Sequence, residues 1–229
     1  MPVRSASART AARSITLAVD VVLLARRRGE LAVLLLSVGG SRGRAHPVLP
    51  SDGLRIDESL DDAAARVARS TLGAAPTFLD QAGAYGGARR QAGLTQVSVV
   101  YFGLVPGDRD AGPNAEWSAF SRLPPVASRH RAGIDAALAA VRARVDQMPI
   151  AFRLLPPEFT LSDLQSTYEL LLGRRLHKAS FRRALHASGL VEATEEWRSE
   201  GRGRPAQLFR YTPPRRRRQH RGVRFDLLA

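Results

Sequence analysis

Pro50-Ser51-Asp52-Gly53-Leu54-Arg55-Ile56-Asp57-Glu58-Ser59, followed by Leu60-Asp61-Asp62-Ala63-Ala64-Ala65-Arg66-Val67-Ala68-Arg69-Ser70-Thr71-Leu72-Gly73-Ala74, reads as a loop feeding one amphipathic helix. Ser59 with Asp62 three residues on is a capping-box pattern: the hydroxyl can accept from the backbone N–H at position 62 while the carboxylate reaches back. Asp61 and Asp62 suit the positive end of the helix. Leu60, Ala64, Val67, Ala68 and Leu72 fall on one apolar face, and Gly73 is a natural stop.

The spacing also resembles the Nudix box, G-x5-E-x7-R-E-U-x-E-E-x-G-U, with U an aliphatic residue. Glu58, Arg66, Ala68 and Gly73 fall on its E, R, first U and last G; Asp52 stands at the glycine, and Val67, Ser70 and Thr71 stand at the three later glutamates. At i, i+3 and i+4 such glutamates share one helix face, where they can supply the hard oxygen ligands that Mg²⁺ requires. Valine supplies no oxygen, and serine and threonine supply only neutral hydroxyls. The resemblance therefore implies a Nudix-like fold that has lost its metal site, with no catalytic residue, no metal and no enzyme activity. Asp57, Glu58, Asp61 and Asp62 read as helix-cap groups rather than metal ligands. On the helix alone an ordinary capped helix fits equally well, so the flanking sequence must separate the two readings.

The chain has 229 residues and 44% hydrophobic residues, enough for one large or two small domains with a real core. No run of eighteen apolar residues is present, which argues against a membrane span. Residues 1–13 carry Arg4, Arg9 and Arg13 without an apolar stretch, unlike a secretory signal. The absence of cysteine excludes disulfides, thiolate metal sites and cysteine nucleophiles and fits a cytoplasmic protein. Charge is the strongest global clue: 35 basic against 21 acidic residues give +14, with Lys178 the only lysine. Residues 149–229 hold 16 basic and 8 acidic residues, a net +8 in the shorter part of the chain. A chain this basic favours a polyanion, nucleic acid first; the bland alternative is a solvated basic surface.

Taken in order, residues 1–13 read as a disordered basic tail. Ile15 to Arg26 is a β-branched, aliphatic strand; Arg27 to Glu30 is a turn; Leu31 to Ser37 is the second strand of a hairpin. Gly39 to Pro47 reads as a loop before the capped helix. Phe78 to Tyr85 and Gln96 to Val105 read as strands joined by a Gly/Arg-rich loop, Gly86 to Gly93. A helix from about Arg129 to Asp146 follows, with Ile134, Ala137, Leu138, Val141 and Val145 as its stripe. This order is that of a Nudix-like α/β/α sandwich over residues 14–148. Beyond Met148-Pro149, Thr160-Leu161-Ser162-Asp163 caps a helix to about Leu172, and a second helix runs from Lys178 to Ser188. Strands follow at Leu190 to Trp197 and Gln207 to Thr212, with Arg198 to Ala206 as the turn. Helix, helix, hairpin, all basic, is a winged helix-turn-helix pattern over residues 149–214, with a basic tail at 215–229. The fold class is α+β.

Three phrases carry a closer resemblance: AVDVVLLARRRGELAVLLLSVGG, QAGAYGG…TQVSVVYFGLVPGD and, above all, PIAFRLLPPEFTLSDLQSTYELLLGRRLHKASFRRALHASGLVEAT…GRGRPAQLFRY. They are similar to the Nudix-related transcriptional regulators of NAD metabolism, the NrtR family. The resemblance implies a repressor of NAD biosynthesis or salvage genes, at the nucleoid in the cytoplasm, whose Nudix-like domain binds ADP-ribose or an NAD-derived relative and thereby releases operator DNA. Apart from that effector no cofactor is expected.

The second helix of a helix-turn-helix presents its N-terminal residues to base edges, which selects Lys178, Ser180, Arg182 and Arg183. Arg198, Arg202 and Arg204 belong to the wing, where glycines allow close approach and arginine can enter a narrow minor groove. Arg42, Arg44, His46, Arg55 and Arg66, near the box, could clamp phosphates of an effector. A two-fold operator would call for a homodimer. Two other readings remain open at this point: a Nudix-type hydrolase of nucleoside diphosphate derivatives with a nucleic-acid-binding appendage, and an RNA-binding module.

Overall fold

The computed structural model describes residues 14–39, 45–91, 94–199 and 205–213. Strand β1 (Ser14–Arg27) runs through the middle of a seven-stranded sheet. It turns at Arg28-Gly29 into antiparallel β2 (Glu30–Gly39) and pairs in parallel with β6 (Leu94–Val105). The central order is β3-β2-β1-β6-β5, where β3 is Ala45–Val48 and β5 is Phe78–Gln91. Two short strands fill edges: β4 (Ser51–Gly53) on β1 and β7 (Ala115–Ala119) on β2.

Helix α1 (Leu60–Leu72) covers one face of this sheet. It opens as its sequence predicts, with the Ser59 hydroxyl accepting from the Asp62 N–H, and it closes on Gly73 at φ 71°, a left-handed conformation that suits glycine. Ala63, Ala64, Val67, Ala68 and Leu72 pack on Val19, Val21 and Leu23. The period of two along β1 sends Val22 and Leu24 to the other face, where α2 (Ser128–Val145) lays Ile134, Ala137, Val141 and Val145 over them.

Past a 3-10 turn at Ile150–Leu154 comes the second unit. It holds β8 (Glu158–Thr160), α3 (Leu161–Leu172), α4 (Lys178–Ser188), β9 (Val191–Arg198) and β10 (Ala206–Tyr211), with strand order β8-β10-β9. Phe152, Tyr168 and Phe181 stack edge-on in its core, at centroid distances of 6.4 and 5.8 Å. That core is continuous with the α2 face of the first sheet, so the boundary expected at 148–149 changes the type of unit without interrupting the packing.

Two expected loops are corrected. The stretch from Gly39 to Pro47 contributes β3, whose His46 lies opposite Val38. The Gly/Arg-rich stretch after Tyr85 stays in the ladder as far as Gln91; register shifts at Gln81/Gly83, Gly86/Ala88 and Arg89/Gln91 let a glycine-rich strand bend without leaving its partner. Strands β4, β7 and β8, of three to five residues, were too short to show a period. No helix among the described residues is long and apolar enough to cross a membrane. Both tails, residues 1–13 and 215–229, lie outside the described residues.

Candidate nucleic-acid interface and sensor site

Helix α4 is held by two buried side chains, Phe181 and Leu185, which face α3. That anchoring turns Lys178, Arg182, Arg183 and His186 outward, all exposed. Among the described residues no hydrogen bond or ion pair to a carboxylate occupies Lys178, Arg182 or Arg183, whereas Arg26, Arg66, Arg144 and Arg210 each have one. Lys178, Arg182 and His186 follow one another at steps of four, so they line one wall of a groove of about 720 Å³. Trp197, Pro205, Gln207 and Phe209 form the opposite wall, and the start of α3 at Leu161-Ser162 closes the floor. Trp197 is 61% exposed. A groove with cations on one side, an aromatic on the other and a helix N-terminus below suits a sugar-phosphate backbone.

The expected DNA-contact residues divide. Lys178, Arg182 and Arg183 stand where the helix-turn-helix rule puts them. Ser180 is half-buried and its hydroxyl lies 3.2 Å from His177 Nδ1, so it is partly engaged within the helix start. Arg198 is a correction: Nη1 donates to Asp163 Oδ2 at 3.0 Å and Nη2 reaches the Glu158 carbonyl at 3.5 Å, which ties the wing strand to α3. Arg202 and Arg204 lie outside the described residues. His186 and Trp197 line the groove without having been singled out. Helical spacing from Arg182 would have found His186; a lone tryptophan beside two glutamates gives no such signal.

The box region is organised around Arg66. Its Nε and Nη2 donate to Glu58 at 2.7 and 2.8 Å, Nη1 donates to Asp52, and Nη2 also reaches the Gly53 carbonyl at 3.1 Å. The bond from Arg66 holds the Glu58 carboxyl down to about 2 and, with the Gly53 N–H, lowers that of Asp52 as well. The same bonds raise the guanidinium of Arg66. With four of its five N–H donors met inside the protein, Arg66 braces the box loop rather than standing open to a phosphate. Arg55, exposed, lies 4.0 Å from Asp52, and exposed His46 lies on β3 opposite Val38. Arg55 and Arg66 thus meet on one carboxylate; Arg42 and Arg44 lie outside the described residues.

At the three positions of the missing glutamates, Val67 is buried against the sheet, and the Ser70 and Thr71 hydroxyls both donate to the Val67 carbonyl at 2.9 Å. Asp61 is taken by the Tyr101 hydroxyl at 2.6 Å; burial first, then this neighbour, pushes the phenol pKa up. The residues present do not fit a Mg²⁺ site: one is apolar and the other two point their hydroxyls back at the helix. Among the described residues no group of three His, Cys, Asp or Glu side chains could hold a metal ion.

Comparison with known proteins converges on the same two parts. Residues 151–211 match the family model of the NrtR DNA-binding winged helix domain. The whole fold superposes on the NrtR of Shewanella oneidensis, crystallised with a 27mer DNA, with a TM-score of 0.75 and 27% identity over 86% of this chain and 93% of that one. Residues 151–211 thus belong with the NrtR winged helix domains, and most of the chain is similar to Nudix-related NrtR regulators. Another solved structure of Shewanella NrtR gives a TM-score of 0.76 and 26% identity, over 91% of this chain and 98% of that one. A curated relative in Acinetobacter baylyi, an ADPR responsive transcriptional repressor, is 29% identical over 202 residues, covering 84% of this chain and 80% of its own. A MutT/nudix family protein of Enterococcus faecalis shares the fold, with a TM-score of 0.70 at 19% identity over 87% of this chain and 89% of that one.

Proposed function

We propose that this protein is a DNA-binding transcriptional repressor whose Nudix-like domain senses ADP-ribose or a related NAD-derived nucleotide. The observation that carries the reading is that Lys178, Arg182 and Arg183, exposed on α4, have no carboxylate partner among the described residues, and that Lys178 and Arg182 face the wing across the groove. Cations left without acids keep their field for phosphates, and arginine at the start of a recognition helix can pair with guanine in the major groove. The DNA-bound NrtR of similar fold and the ADP-ribose-responsive repressor relative support the operator and the effector.

Three finer points belong to the same proposal. The Nudix-like domain is catalytically inactive, because the box helix presents Val67 and two back-bonded hydroxyls where a hydrolase needs carboxylates. The protein acts as a homodimer on two-fold operators, at the nucleoid. Its targets are genes of NAD biosynthesis or salvage, and no cofactor takes part besides the effector.

The test is fluorescence anisotropy with duplexes from upstream of its own gene and of NAD-synthesis genes, at two salt concentrations, with and without ADP-ribose. Selective binding that ADP-ribose releases is the expected result. Weak binding to any duplex that vanishes with modest salt overturns the reader. ADP-ribose turnover with Mg²⁺ would restore the hydrolase alternative.

A further inference from the structure

Asp20 sits in the middle of β1, among Val19, Val21, Val22, Leu23 and Leu24. It is 3% exposed, and its Oδ1 has no hydrogen-bond partner. A buried carboxylate without a donor costs free energy that a valine at the same position would not. Such an orphaned acceptor calls for a donor from outside the chain, a water or a ligand.

The surroundings of Asp20 supply the place. Its side chain is on the α2 face of the sheet, opposite the box helix, in register with Val100 of β6. There it borders a cavity of about 140 Å³, whose lining also includes Tyr85, Gln96, Ser98, Arg129 and Ala132. At about 30 Å³ per water this volume holds a single ring and not a whole dinucleotide. Tyr85, 45% exposed, offers an aromatic surface, and Gln96 and Ser98 offer donors and acceptors. Arg129 and Ala132 belong to the start of α2, a helix with no side-chain cap, so its positive end lies beside the cavity.

We propose that this cavity is the recognition pocket for one end of the nucleotide effector. Asp20 accepts hydrogen bonds from neutral donors, a ribose diol or a base amino group. A carboxylate repels phosphate, so the diphosphate lies outside, toward the start of α2. The inference rests on the sensor reading above, and it moves effector recognition away from Arg55 and Arg66, which are already engaged by carboxylates.

Isothermal titration of ADP-ribose into the full-length protein tests it. Asp20→Asn keeps the shape and removes the charge; Ala132→Phe fills the cavity from an exposed helix position without touching Asp20. Both are expected to weaken ADP-ribose binding at least tenfold while leaving operator binding without ligand unchanged, which also controls for folding. Competition by ribose 5-phosphate would assign the Asp20 donor to the sugar, and competition by adenine would assign it to the base. Wild-type affinity in both variants overturns the pocket and leaves the sensor reading standing. No ADP-ribose binding by the unmodified protein overturns both.

Discussion

Helices α1 and α4 both carry arginine on a capped or stopped amphipathic helix, yet the two put that charge to opposite use. On α1, Arg66 is closed into a cage of Glu58, Asp52 and the Gly53 carbonyl. On α4, Arg182 and Arg183 stand exposed with no carboxylate on either among the described residues. A guanidinium has five donors in a fixed fork. Once carboxylates fill them, recruiting a phosphate requires breaking an ion pair first, so a saturated arginine braces the fold and an unsaturated one waits for a partner. Proximity to a motif therefore says less about binding than the count of acids already in reach.

The sharpest way to break this comparison is to remove the waiting charges. Arg182→Ala with Arg183→Ala is expected to lower operator affinity at least about 30-fold, since each lost base contact is worth about 1–3 kcal/mol. Each lost phosphate contact would also flatten the salt dependence by about one unit of slope. Arg66→Ala is expected to leave affinity without ligand unchanged. Equal losses in anisotropy titrations of the two would show that α1 and α4 do not differ in the way the ion pairs indicate.

A second, smaller effect concerns the joint between the units. Asp163 is the third residue of α3 and completes a capping box: its N–H donates to the Thr160 hydroxyl at 3.0 Å, and its carboxylate accepts from the Thr160 N–H at 3.2 Å. It also takes Arg26 from the end of β1 at 3.5 Å and Arg198 from the wing strand at 3.0 Å. Burial raises its pKa, but the two bonds from Thr160 and the two arginines outweigh it, so the net shift is downward. Asp163→Ala is expected to cost about 1–2 kcal/mol in chemical denaturation for the cap, with a further loss from the two arginines left behind. Arg198→Ala should share part of that loss and cost operator affinity far less than Arg182→Ala. The reverse ranking would return Arg198 to the reading residues.

How much of this was legible in the chain depended on the range of the interaction. The caps at Ser59 and Thr160, the stop at Gly73 and the limits of α4 are local, and the sequence pattern predicts them as the structure has them. The winged helix-turn-helix was legible for the same reason. What was not legible is set by contacts far along the chain. Nothing near Arg198 announces Asp163, 35 residues away. The bulged ladder of β5 shows turn residues where the strand continues. Asp20 reads as one polar residue in an apolar strand, and only the sheet's alternation and the packing of α2 reveal that it borders a cavity.

Acid supplies the finest test of the caged arginine. Arg66 holds the Glu58 carboxyl at about 2, below its ordinary 4.5. A carboxylate whose pKa is lowered by folding contributes stability in full above its unfolded value and loses it as the pH falls through its folded one. The contribution of this pair is therefore complete above pH 4.5 and fades between there and about pH 2. Arg66→Ala should melt at a lower temperature than the parent at neutral pH, and the gap should narrow as the pH falls across that window. Asp52, Asp163 and Glu169 are also held low. Of these, Asp163 and Glu169 do not touch Arg66, so their acid response is common to both proteins and cancels in the difference. A gap in melting temperature that stays constant from pH 7 to pH 3 would mean that Glu58 gains nothing from Arg66, and that α1 too carries an arginine still open to a ligand.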